Sequence, residues 1–148
     1  RVRGLVIAGS TREPAGPSRM AFQLYGWFLR LAPEPAVRAV ALAWFRRRYG
    51  RVLGTAITAG GHFAGGGGRA VLQLAGGRFR DRLRAYGGPI LVINGAWDLV
   101  FRIGASRFLA GVPRVTTRMI PRAGHLSNVD RPDLFTGLVE DFIDSLEP

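Results

Sequence analysis

Pro89-Ile-Leu-Val-Ile-Asn-Gly-Ala-Trp-Asp98 is the stretch on which the reading of this chain turns. Four consecutive apolar residues, Ile90 to Ile93, are too few for a helix and suit a strand buried on both faces. A glycine turn follows, and an acid stands three residues past it. A second stretch repeats the plan: Val115–Ile120 reads as a strand, and Pro121-Arg-Ala-Gly-His125 leads out of it to a histidine. In an open parallel sheet, ligands bind at the carboxyl ends of the strands. Asp98 and His125 are therefore expected to meet at one sheet edge, each a few residues past an adjacent strand, with Gly95 and Gly124 giving the tight backbone of the two exits.

Outward from these stretches the rhythm is α/β. Ile103–Leu109 reads as a helix. Pro132 opens the last helix at its first position with Asp133 in its first turn. Phe135, Leu138, Val139, Phe142, Ile143 and Leu146 fall on one face of it. Upstream, Gly4-Leu-Val-Ile-Ala-Gly9 is an apolar run bounded by glycines and suits another buried strand. Ser10 to Pro17 then breaks regular structure.

Residues 18–86 differ in character. Phe22, Tyr25, Trp27, Phe28 and Leu29 lie in an apolar helical stretch that Pro33 and Pro35 end. Val37, Val40, Ala41, Trp44 and Phe45 follow at one helical spacing, and Arg46–Arg48 closes that helix where cations suit the carbonyl end. Residues 60–68 read as a glycine-rich break, with residues 65–68 as a hinge. A third helical stretch is expected from Arg69 towards Tyr86, weakened by Gly76 and Gly77. Three segments follow: a core strand in 1–13, a helical insertion over 14–87, and an α/β segment over 88–148.

Composition narrows the chemistry. The 148 residues are 47% hydrophobic, which suits one globular domain. There is no cysteine, which excludes thiolate chemistry and disulfides, and two histidines do not make a histidine metal cluster. No metal and no cofactor are expected. All 21 basic residues are arginine, and residues 1–88 carry 15 of them against 3 acids. This charge suits either an anion-binding surface or a solvated basic face. No helix shows a continuous basic face with interleaved stacking aromatics, so no nucleic-acid partner is expected. No run of eighteen apolar residues indicates a membrane span, and a cytoplasmic location is the expectation.

Taken together, the order of these motifs resembles the C-terminal portion of an α/β-hydrolase fold enzyme. Leu5–Ser10 resembles the strand after the nucleophile helix, Pro89–Asp98 the strand and acid loop, Arg122-Ala-Gly-His-Leu126 the histidine loop, and Asp130–Phe135 the start of the closing helix. Acid followed by histidine is the tail of the order Ser…Asp…His. The resemblance implies a parallel sheet with a helical cap, and Asp98 and His125 as two members of a triad. Trp97 and Phe101 are the implied substrate contacts, with Phe101 the better of the two, and Arg102 either borders the pocket or faces solvent. A small, moderately apolar ester or related acyl compound is the expected substrate. Dehalogenase, epoxide hydrolase and haloperoxidase chemistry share the fold.

No G-x-S-x-G occurs in the chain. Ser10, Ser18, Ser106, Ser127 and Ser145 lack the flanking glycines of a nucleophile elbow, so none is assigned. The nucleophile is expected upstream of Arg1, and the 148 residues alone are expected to be inactive. Asp98 also fits a turn or cap role, and His125 an ordinary loop histidine. Asp130 and Asp133 fit helix starts better than a catalytic role, and His62 reads as a solvent-exposed loop histidine.

Overall fold

The computed structural model describes residues 2–59, 64–77 and 79–146. The chain divides into two compact units, one formed by Arg1–Glu13 with Arg78–Pro148 and the other by Pro14–Gly77.

The first unit is built on a parallel sheet of three strands, β1 (Leu5–Ala8), β2 (Ile90–Gly95) and β3 (Val115–Ile120), in the order β1-β2-β3. Ile7 pairs with Val92, and Val92 with Thr117. The central strand is buried along its whole length. Successive side chains of a strand point to opposite faces, so β2 supplies two cores. Ile90 and Val92 join Ile7, Leu83, Phe108, Leu109 and Val112 on one face. Leu91 and Ile93 join Ile120 and Ala123 on the other, where Phe135, Leu138, Val139 and Phe142 pack against them. This two-sided burial is why the run reads as wholly apolar rather than alternating.

Helices α5 (Phe79–Ala85), α6 (Leu99–Arg102), α7 (Ala105–Leu109), α8 (Ser127–Asp130) and α9 (Pro132–Asp144) complete this unit. The helix expected over 103–109 begins only at Ala105, as α7, and α6 is a further short helix that ends at Arg102. Gly104, at φ 88°, separates α6 from α7. Pro132 does open α9, and Asp133 is in its first turn. Ile143 departs from the expected face and is 56% exposed.

The second unit is helical throughout its described elements: α1 (Pro17–Leu31), α2 (Glu34–Tyr49), α3 (Arg51–Ala59) and α4 (Ala64–Gly76). Three expectations change here, and one helix is new. Residues 65–68 are not a hinge but part of α4. The glycines have a packing reason: a Cβ on Gly68 would lie 2.6 Å from the Gly26 carbonyl oxygen, and one on Gly26 would meet Leu72. Small residues at both positions let the α1 and α4 backbones approach. The stretch expected from 69 to 86 is split, with α4 ending at Gly76 and Gly77 at φ 77°. Helix α3 was not legible as such; Gly50, at φ 80°, ends α2 and the next helix starts at once. On α2, Val37, Ala41 and Phe45 are half-buried, whereas Val40 and Trp44 are exposed. His62 lies outside the described residues.

Candidate active site

Asp98 and His125 meet at the carboxyl end of the sheet. Asp98 follows β2 by three residues and His125 follows β3 by five. Their exits are stitched together by backbone. Ala96 N–H donates to Ile120 O, and Trp97 N–H donates to Ala123 O, both at 2.9 Å. Gly95 is required here, because a Cβ would run into the carbonyl oxygens of Ala123 and Gly124. Gly124 meets no such obstacle. The backbone strain of the histidine loop sits instead at Arg122, whose φ of 56° is left-handed.

The carboxylate of Asp98 uses both oxygens. Oδ1 accepts the Phe101 N–H at 3.3 Å and caps α6. Oδ2 faces Nδ1 of His125 at 2.9 Å. The cap role and the histidine contact were alternatives in the sequence; both hold at once, because a carboxylate has acceptor sites for each. The Asp98 side chain is 4% exposed and that of His125 56%. A buried acid thus contacts a ring that is more than half exposed.

Two further groups fix the ring. Phe101 stacks on it, centroids 5.0 Å apart and planes 22° from parallel. Gly9, at φ 56°, lies against it; a Cβ there would sit 3.0 Å from Nδ1. The loop itself is tied by Asp130, whose Oδ2 accepts the Gly124 N–H at 2.7 Å. Asp130 therefore ends α8 rather than starting a helix, and its carboxylate orders the histidine loop. Asp133 is exposed in the first turn of α9. A glycine before a histidine with an acid five residues on was the signal for the Asp130 contact.

The remaining sequence candidates separate. Trp97 is 62% exposed. Arg102 is half-buried, and its Nε is enclosed without a hydrogen-bond partner among the described residues. No serine hydroxyl bonds His125 among the described residues. Ser10 donates to Ala8 O, Ser18 to Ala15 O and Ser145 to Phe142 O. Ser127 is buried and Ser106 exposed. No group of three or more metal-ligating side chains occurs among the described residues, and no described helix is long and apolar enough to cross a membrane.

No family model matches the sequence. Solved structures do match. An enol-lactonase from Burkholderia xenovorans LB400 superposes with TM-score 0.73 at 20% identity, over 98% of this chain and 57% of its own. A thermophilic esterase from Thermogutta terrifontis gives 0.71 at 19% identity, over 100% of this chain and 58% of its own. NosK from Streptomyces actuosus gives 0.56 at 32% identity, over 98% of this chain and 59% of its own. The chain spans just under three fifths of the length of these structures. Sheet order, site position and these superpositions agree: the chain carries the C-terminal portion of the α/β-hydrolase fold.

Proposed function

We propose that this chain carries the acid and base of a hydrolase acting on esters or similar small acyl substrates. The observation behind the reading is the 2.9 Å contact between His125 Nδ1 and Asp98 Oδ2, with the acid buried and the ring open. A serine hydroxyl is a weak nucleophile until a base takes its proton. In this reading, the Nε2 side of His125 accepts that proton and returns it to the leaving group. Asp98 holds the tautomer and stabilises the imidazolium that forms. Phe101 and Trp97 border the acyl group. The helical unit Pro14–Gly77 takes the role of the cap. The nucleophile is none of this chain's serines, since none has an elbow's glycines and none bonds His125 among the described residues.

The neighbours include, by name, an esterase and an enol-lactonase, and the acyl-substrate reading follows that chemistry. The test has two arms. The 148 residues alone should turn over p-nitrophenyl esters no faster than their His125→Ala variant. Activity that disappears in that variant would mean that a serine here, Ser10 first, is the nucleophile. In a protein that joins this chain to a serine elbow, Asp98→Asn should lower turnover by roughly 10⁴-fold through loss of the correct tautomer. Wild-type turnover in Asp98→Asn or His125→Ala would overturn the assignment.

A further inference from the structure

We propose that Thr11 and Asn94 are positioning residues for the Asp98–His125 pair, acting through the backbone of Phe101. Neither belongs to the acid loop or the histidine loop. Thr11 follows β1 and is fully buried; Asn94 is on β2 and is 6% exposed. Thr11 Oγ1 donates to the Phe101 carbonyl oxygen at 2.7 Å. Asn94 Nδ2 donates to Thr11 Oγ1 at 3.0 Å. Thr11 Oγ1 also stands 3.3 Å from Asn94 Oδ1; the hydroxyl has one proton, and the shorter contact gives it to the Phe101 carbonyl. The order of donors is therefore set: Asn94 to Thr11, and Thr11 to Phe101.

Phe101 is where this chain of bonds reaches the chemistry. Its N–H holds Asp98 Oδ1 at 3.3 Å. Its ring stacks on His125 at 5.0 Å. With the carbonyl pinned by Thr11, one residue touches both members of the pair with its backbone and ring fixed. Arg12 adds a second tie to the same turn, Nη1 donating to Val100 O at 3.0 Å. Strand ends β1 and β2 thus hold α6 in place from below, and Asp98 can present Oδ2 to the histidine only while α6 stays put. A buried polar network is costly when partly satisfied, so a threonine and an asparagine beneath an acid loop need a use. Holding that loop is the use the bonds describe.

The consequence is a single neutral tautomer of His125, with the proton on Nδ1 and donated to Asp98. Free imidazole prefers the proton on Nε2, so the tautomer reports how well Asp98 is held. Its catalytic weight rests on the hydrolase reading above, but its measurement does not. The experiment records ¹⁵N shifts of the His125 ring in the full chain at a pH where the ring is neutral. Thr11→Val removes the donor and keeps the shape. We expect the Nδ1–H to Nε2–H ratio to fall by roughly tenfold, the effect of losing about one buried hydrogen bond's worth of restraint. Thr11→Ser keeps the hydroxyl and should restore the wild-type ratio. If Thr11→Val does not fold, Asn94→Ala serves instead. It removes only the amide that orients the hydroxyl and should shift the ratio the same way by less.

A folded Thr11→Val or Asn94→Ala with the wild-type ratio overturns the proposal, as does a Thr11→Ser that fails to restore it. A stability loss without a tautomer change assigns these residues to the core alone and also overturns it. Absence of ester turnover in a protein with a serine elbow would sink the hydrolase reading and leave the tautomer result standing.

Discussion

Gly9 lies flat against the ring of His125, so close that a Cβ on Gly9 would sit 3.0 Å from Nδ1 and 3.1 Å from Cε1. Gly9 is the first residue past β1, and its N–H still donates to Ile93 O at 3.0 Å. The strand therefore ends directly under the histidine. Its left-handed φ of 56° and the absent side chain are both needed there.

Gly9→Ala should lower stability by about 1–3 kcal/mol, the left-handed strain and the contact adding together. Urea unfolding measures it. Because the ring must shift to admit the methyl, the ring resonances of His125 and Phe101 should move as well. A Gly9→Ala variant with wild-type stability would show that the ring has room this geometry does not give it.

The glycines of α4 should answer with opposite signs. Gly68→Ala puts a methyl against the Gly26 carbonyl and Arg30, at a cost of about 1–3 kcal/mol. Gly67 is exposed and helical, and a Cβ there has only Leu29 at 4.0 Å. Gly67→Ala should therefore stabilise by about 0.5–1 kcal/mol through reduced freedom of the unfolded chain. Equal effects at the two positions would count against the α1–α4 approach described here.

Removing the Asp130 carboxylate leaves the Gly124 N–H without its acceptor at 2.7 Å. Asp130→Ala should cost about 1–3 kcal/mol, the usual range for a donor left unsatisfied. Hydrogen exchange at the Gly124 amide should rise more than at Ile93. Unchanged protection at Gly124 would mean that the contact does not order the histidine loop.

Ile93 is fully buried and Val6 is 42% exposed, although both lie in short apolar strands. Ile93→Ala should cost about 2–5 kcal/mol. Val6→Ala should change stability by roughly 0.5 kcal/mol or less, as exposed positions usually do. Comparable losses would show that the face of β1 at Val6 is covered.

Much of the site could be read along the chain because its parts are local. Asp98 stands three residues past a buried strand and His125 five past its neighbour; a strand that ends, a glycine that turns and a polar residue that follows need no distant contact to be recognised. The helical insertion was likewise plain in Phe22–Leu29 and Val37–Phe45. Its breaks were not. A glycine at left-handed φ, such as Gly77 or Gly104, and a glycine in a helix–helix contact, such as Gly68, look alike in sequence. The first ends a helix and the second lies within one, so the run at 65–68 reads as a hinge until α1 is placed beside α4.

What the sequence by itself determined is the order of the three strands and of the longer helices α1, α2 and α9, and the place of an acid and an imidazole just past two of those strands, since apolar runs and turn residues act over a few positions. Only the tertiary structure decided which groups hold that pair in register. Thr11 reaches Phe101 across 90 positions of chain, and Asn94 reaches Thr11 across 83. Nothing local distinguishes a threonine that bonds the Phe101 carbonyl from one that faces water. Parallel pairing of β1 with β2 brings the two strand ends together, and hydrogen-bond geometry, which acts only within about 3 Å, then gives each residue its part.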